Sequence, residues 1–144
     1  MDNNFNKELT ARYPFLLPRN VFTDEISEDY DYSWTRLDEV EKGWKELFLQ
    51  MCEEIREALI EANYLDEFRF SQIKEKWGAL RVYHFGAPQK VIDIIRKYEK
   101  LSTKICVQCG KPAVKRTVGY ILPYCTDCAK KVSEYEDLVD MEVD

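Results

Sequence analysis

Hydrophobic positions recur along this chain with two clear periods. Val40, Trp44, Leu47, Phe48, Met51, Ile55, Leu59 and Ala62 recur at spacings of three and four, with Leu47 and Phe48 adjacent. That period lays one apolar stripe along an α-helix and leaves Glu and Lys on the other side. Asp38, with Glu41 three residues on, reads as its N-cap and capping box, and Asn63 as its stop. Val91, Ile94, Ile95, Tyr98 and Leu101 mark a second helix of the same kind. Between them the period changes to two. Phe68-Arg69-Phe70-Ser71 and Leu80-Arg81-Val82-Tyr83-His84-Phe85 alternate and predict a β-hairpin. Gly78, in the segment Lys74 to Gly78, supplies the positive φ its turn needs. The expected fold is α+β: a small antiparallel sheet packed by two helices.

The N-terminal part is less regular. Met1 to Leu9 is polar and reads as a loose arm. Tyr13-Pro14-Phe15-Leu16-Leu17-Pro18 carries two prolines around apolar residues, which predicts an extended strap across the core. Asp24 to Glu41 holds Asp24, Glu25, Glu28, Asp29, Asp31, Asp38, Glu39 and Glu41 against Arg36. Tyr30, Tyr32 and Trp34 alternate within it, as in a short strand or extended edge.

Composition narrows the class. The chain has 144 residues, of which 45% are apolar and 13% aromatic, so it folds around a core. Its net charge of −6 argues against a global electrostatic grip on nucleic acid. No apolar run nears the roughly 20 residues a membrane span requires. The polar first residues carry no signal-peptide core. The expectation is a soluble, cytoplasmic protein without a membrane partner.

The cysteines change the picture most. Cys106, Cys109, Cys125 and Cys128 form two C-x-x-C pairs, and Cys52 stands apart. Two tight pairs without a secretory signal point to a metal rather than to disulfides. Cys109-Gly110 fits a knuckle closed by a left-handed glycine, and Gly119 sits near the turn of a short hairpin. Cys125-Thr126-Asp127-Cys128 runs into Ala129-Lys130-Lys131-Val132, which places the second pair on the first turn of a helix. This order reads as a treble-clef or zinc-ribbon-like module over residues 104–144, following an α+β domain over residues 1–103. Four sulfurs fill the tetrahedron of Zn2+, so the expected zinc is structural.

Other residues invite functional readings. Lys104, Lys111, Lys115, Arg116, Lys130 and Lys131 face Asp127 alone between positions 104 and 131, a candidate nucleic-acid surface. The charge of the thiolates and the acidic tail (Glu134, Glu136, Asp137, Asp140, Glu142, Asp144) oppose it. His84 lies in phase with Leu80 and Val82 and reads as a packed histidine before a catalytic base. Cys52 reads as a small core residue. Trp77, among Lys74, Lys76 and Arg81, caps the hairpin or serves as an interface anchor. Asp24, Glu25, Glu28, Asp29, Tyr30 and Tyr32 have the composition of a surface for a basic partner.

Ile73-Lys74-Glu75-Lys76-Trp77-Gly78-Ala79-Leu80-Arg81-Val82-Tyr83, Tyr98-Glu99 and Cys106-x-x-Cys109-Gly110-Lys111-Pro112 together resemble small, mostly uncharacterised proteins of bacteriophages and prophages. Tyr13-Pro14-Phe15 and Trp44 are similar too, while Ala79 replaces an expected second glycine. The resemblance implies a mobile-element origin and carries no catalytic residues with it. It directs the functional expectation to a non-enzymatic binding protein that inhibits or modulates a host protein with a basic surface. A nuclease effector blocked by an anti-CRISPR protein is one such target. The alternatives are a nucleic-acid-binding zinc protein using Lys111, Lys115, Arg116, Lys130 and Lys131, and, last, a small hydrolase using His84.

Overall fold

The computed structural model describes residues 3–134 and 137–141. The polar N-terminus is not a loose arm but a helix, α1 (Asn3–Arg12). Its buried face is Asn6, Leu9 and Thr10, so polar side chains do what an apolar stripe does elsewhere. Asn6 donates through Nδ2 to the Tyr32 carbonyl at 2.8 Å, and Asn3 to the Asp31 carbonyl at 2.9 Å. The proline segment is a 3-10 turn, Pro14–Leu16, rather than an extended strap. The turn lets two consecutive residues, Phe15 and Leu16, both enter the core, where an extended chain would point one outward.

No strand forms between Asp24 and Glu41. Positive φ values at Asp24 and Tyr32 break the alternation, and Tyr30 and Tyr32 pack ring to ring instead, with centroids 4.8 Å apart. The capping box falls three residues earlier than expected, on Thr35 and Asp38, and opens a 3-10 turn at Arg36–Glu39. A second such turn, Lys42–Trp44, leads into α2 (Lys45–Glu61). Phe48, Met51, Cys52, Ile55, Ala58 and Leu59 form its buried stripe, and Asn63 ends it in the left-handed region.

The hairpin is longer than its alternation suggests. β1 (Phe70–Lys76) pairs antiparallel with β2 (Ala79–His84) through a two-residue turn at Trp77-Gly78, both with positive φ. α3 (Gln89–Ser102) lies against β2 and α2. It also closes the free edge of β2. Leu80 N–H donates to Ser102 Oγ at 2.8 Å and Val82 N–H to Glu99 Oε2 at 2.9 Å. A strand edge is thereby paired with helix side chains rather than left open. Phe15, Phe48, Phe68 and Phe70 meet at the centre, with ring centroids 5.1–5.7 Å apart. Trp44 is fully buried beside them.

The C-terminal part carries β3 (Lys115–Thr117), β4 (Pro123–Tyr124), α4 (Thr126–Val132) and β5 (Leu138–Asp140). Both β4 and β5 pair antiparallel with β3. The architecture is thus mixed α and β, with two small antiparallel sheets. Among the described residues no helix is long and apolar enough to cross a membrane.

Candidate metal centre

Two local structures build the centre. Residues 106–110 turn back on themselves, with Gly110 N–H donating to the Cys106 carbonyl at 3.0 Å and Gly110 at φ +85°. Cys125 caps α4 and Cys128 sits in its first turn. The Cys128 N–H points at Cys125 Sγ, 3.4 Å away. The strand pair β3–β4 brings the helix back under the knuckle, and Val107 N–H donates to the Pro123 carbonyl at 3.0 Å. As a result Cys106, Cys109, Cys125 and Cys128 place all four sulfurs within 4.8 Å of one another. Three of the four are buried and Cys109 is exposed.

Four sulfurs so gathered fit one metal ion. A tetrahedron with metal–sulfur bonds near 2.3 Å has sulfur–sulfur edges of about 3.8 Å. All five cysteines are free thiols, and Cys109 Sγ lies 3.4 Å from Cys125 Sγ. The Cys128 amide stabilises a thiolate at Cys125 and pulls its pKa down to about 7. Burial pushes Cys128 the other way. A bound cation would favour the thiolate form of the crowded sulfurs. Cys52 is fully buried in α2, and burial raises its pKa well above the usual value.

One of the contacts that fasten the centre to the core runs through Gly43 and Trp44. The knuckle backbone lies directly on Gly43: the Gly43 N–H donates to the Val107 carbonyl at 2.8 Å. A Cβ on Gly43 would come within 2.1 Å of the Cys106 carbonyl oxygen. The next residue, Trp44, donates through Nε1 to the Ile105 carbonyl at 3.0 Å. The available signal was a glycine inside the expected helix stripe, between Val40 and Trp44, where a good helix former is expected.

The candidate interaction residues fall in separate places. Asp24, Glu25, Glu28 and Asp29 are exposed, though the Asp24 carboxylate sits 3.5 Å from Arg69 Nε. Tyr30 donates to the Trp34 carbonyl, and Lys7 lies over the Tyr32 ring. Trp77 lies elsewhere: Arg69 precedes β1 and Trp77 follows it, a separation of roughly 25 Å at strand rise. Of the basic candidates, Lys111 faces Asp127 at 3.8 Å and Lys115 is paired with Asp140 of β5. Arg116 is half-buried, and Lys130 and Lys131 are exposed on α4. Of the tail acids, Glu136, Glu142 and Asp144 lie outside the described residues. His84 packs on Phe68, with ring centroids 5.6 Å apart, and its Nδ1 meets the Phe85 carbonyl.

Phe22, which no sequence pattern marks, is 93% exposed. It rides on a turn held by Asn20, whose Oδ1 accepts from Phe22 N–H at 2.8 Å and Thr23 N–H at 3.1 Å. Asn20 N–H donates to the Glu25 carbonyl at 2.8 Å, and Arg19 to the Asp24 carbonyl at 2.9 Å. No known family, curated protein or solved structure matches this chain.

Proposed function

We propose that the four cysteines hold one structural zinc in a treble-clef arrangement, and that the protein is a non-enzymatic binding protein. Thiolate donors favour zinc over the hard cations, and four of them leave no position for water or substrate. The zinc would act as a clamp. It ties the knuckle, which rests on Gly43, to α4 and the strands behind it.

The binding surface is the acidic stretch from Val21 to Asp29. One observation carries this reading: Phe22 is held almost fully exposed by a turn whose backbone groups are bonded to Asn20 and Arg19. An exposed aromatic carried on a hydrogen-bonded turn is a typical interface anchor. Glu25, Glu28 and Asp29 around it favour a partner with basic residues beside an apolar pocket. The resemblance to phage proteins supports looking for that partner among host complexes, nucleases included.

The test is capture from the host with the tagged full chain, followed by purification of the partner. Replacing Glu25, Glu28 and Asp29 by lysine, and separately Phe22→Ser, is expected to abolish binding to that partner while the melting temperature is kept. Asp24 is left in place because it meets Arg69. Undiminished binding by both variants would remove this surface from the account.

A further inference from the structure

Trp77 stands at the tip of the β1–β2 hairpin. It is 58% exposed and has φ +54°. Its turn type favours Asn or Gly at that position, and a bulky residue there is strained. Strain of this kind is kept at sites where the side chain is needed for something else. The ring is nonetheless fixed. Trp77 N–H donates to the Tyr120 hydroxyl at 3.3 Å, and that hydroxyl donates to Glu75 Oε1 at 2.6 Å. Glu75 also accepts the Gly78 N–H at 2.9 Å. The Trp77 and Tyr120 rings lie 5.1 Å apart at 31°. A Cβ on Gly78 would approach the Ile121 carbonyl oxygen to 2.8 Å, so the hairpin tip is pressed onto the loop after β3. The two form one aromatic shelf.

The shelf borders a cleft of 480 Å³ between the hairpin tip and the cysteine-bearing part. Trp77, Ile121, Pro123 and Met141 supply apolar walls, and Arg116 supplies positive charge. Among the described residues, no carboxylate side chain lines it. A flat indole beside a guanidinium suits a ligand with a planar ring and an anionic group. The volume suits a single unit of that kind.

We propose that this cleft binds a nucleotide unit, its base stacked on Trp77 and its phosphate against Arg116. Base stacking on an exposed aromatic with a cationic groove is how unpaired nucleic acid is held without sequence preference. The same chemistry is offered by a free nucleotide. The site is separate from the Phe22 surface and does not depend on it.

The zinc-loaded full-length protein is titrated at low salt with an eight-residue thymidine oligonucleotide and, separately, with thymidine monophosphate. Binding is read by calorimetry and tryptophan fluorescence. The strand is expected to bind and to weaken with salt. Trp77→Asn suits the positive φ, so its melting temperature holds or rises while affinity falls roughly tenfold. Arg116→Gln is expected to lower the salt slope by about one phosphate contact. A stronger response to the strand assigns the cleft to single-stranded nucleic acid, and an equal one to free nucleotides. Absence of binding by both probes, or an unchanged affinity in Trp77→Asn, would overturn the proposal.

Discussion

The two ends of this chain are held together by different physics. Around α2, α3 and the β1–β2 hairpin, the core is made of large side chains, with Trp44, Phe15, Phe48, Phe68 and Phe70 essentially removed from water. Each buried side chain of that size stabilises by about 2–3 kcal/mol. Around β3, β4 and α4 the buried cluster is Cys106, Cys125 and Cys128, with Tyr124 packed against it. Three small sulfur side chains cannot offset the conformational entropy of ordering such a stretch. The first region is folded by apolar area. The second brings four sulfurs close enough to hold an ion, and it takes further support from its contacts with Gly43 and Trp44.

Breaking the sulfur cluster gives the largest expected effect. Cys106→Ser should abolish stoichiometric metal retention, removing stabilisation on the order of 10 kcal/mol that structural zinc lends such modules. Hydrogen exchange should then show β3 and α4 amides losing protection while those of α2 and β2 keep theirs. Equal loss in both regions would show that they fold as one unit. Phe48→Ala attacks the other side and should cost about 4 kcal/mol in denaturant unfolding, with metal content unchanged. Gly43→Ala probes the seam. Its methyl group collides with rigid backbone at Cys106 and Val107, so about 3 kcal/mol and weaker metal retention are expected together.

The smallest effect is a pH dependence at the first region's surface. Arg12 donates to Glu53 Oε2 at 3.0 Å and Tyr13 at 2.6 Å, and these bonds hold the Glu53 carboxyl below its usual pKa. The folded pKa being the lower one, the contribution is complete above the unfolded value and is lost as pH falls through the folded one. Glu53→Gln should therefore flatten the acid side of the stability profile by about 0.5 kcal/mol, less at high salt.

The same contrast explains what could be read from the sequence. α2, α3 and the hairpin were legible because burial imposes a period, and the Phe48-to-Leu59 stripe obeys it. The cysteine pairs were legible because spacing and a following glycine carry the geometry of a knuckle. α1 was not, since its buried face is Asn6, Leu9 and Thr10 and its partners are the carbonyls of a distant loop. Nor was the Tyr30–Trp34 segment, whose alternation is undone by one left-handed residue at Tyr32. The contact of Gly43 with Cys106 joins positions far apart in the chain, and no local pattern encodes it. Phe22 is exposed, so no period marks it. Only the hydrogen bonds of the turn show that it is held in place.

The central claim is that one zinc ion, bound by sulfur alone, holds the C-terminal part in shape. X-ray absorption at the zinc edge, on protein purified without added metal and quantified for metal content, tests it most directly. One zinc per chain with four sulfur neighbours near 2.3 Å is the predicted result. Protein that remains folded through α4 without metal, or a zinc carrying nitrogen or oxygen ligands, would contradict it.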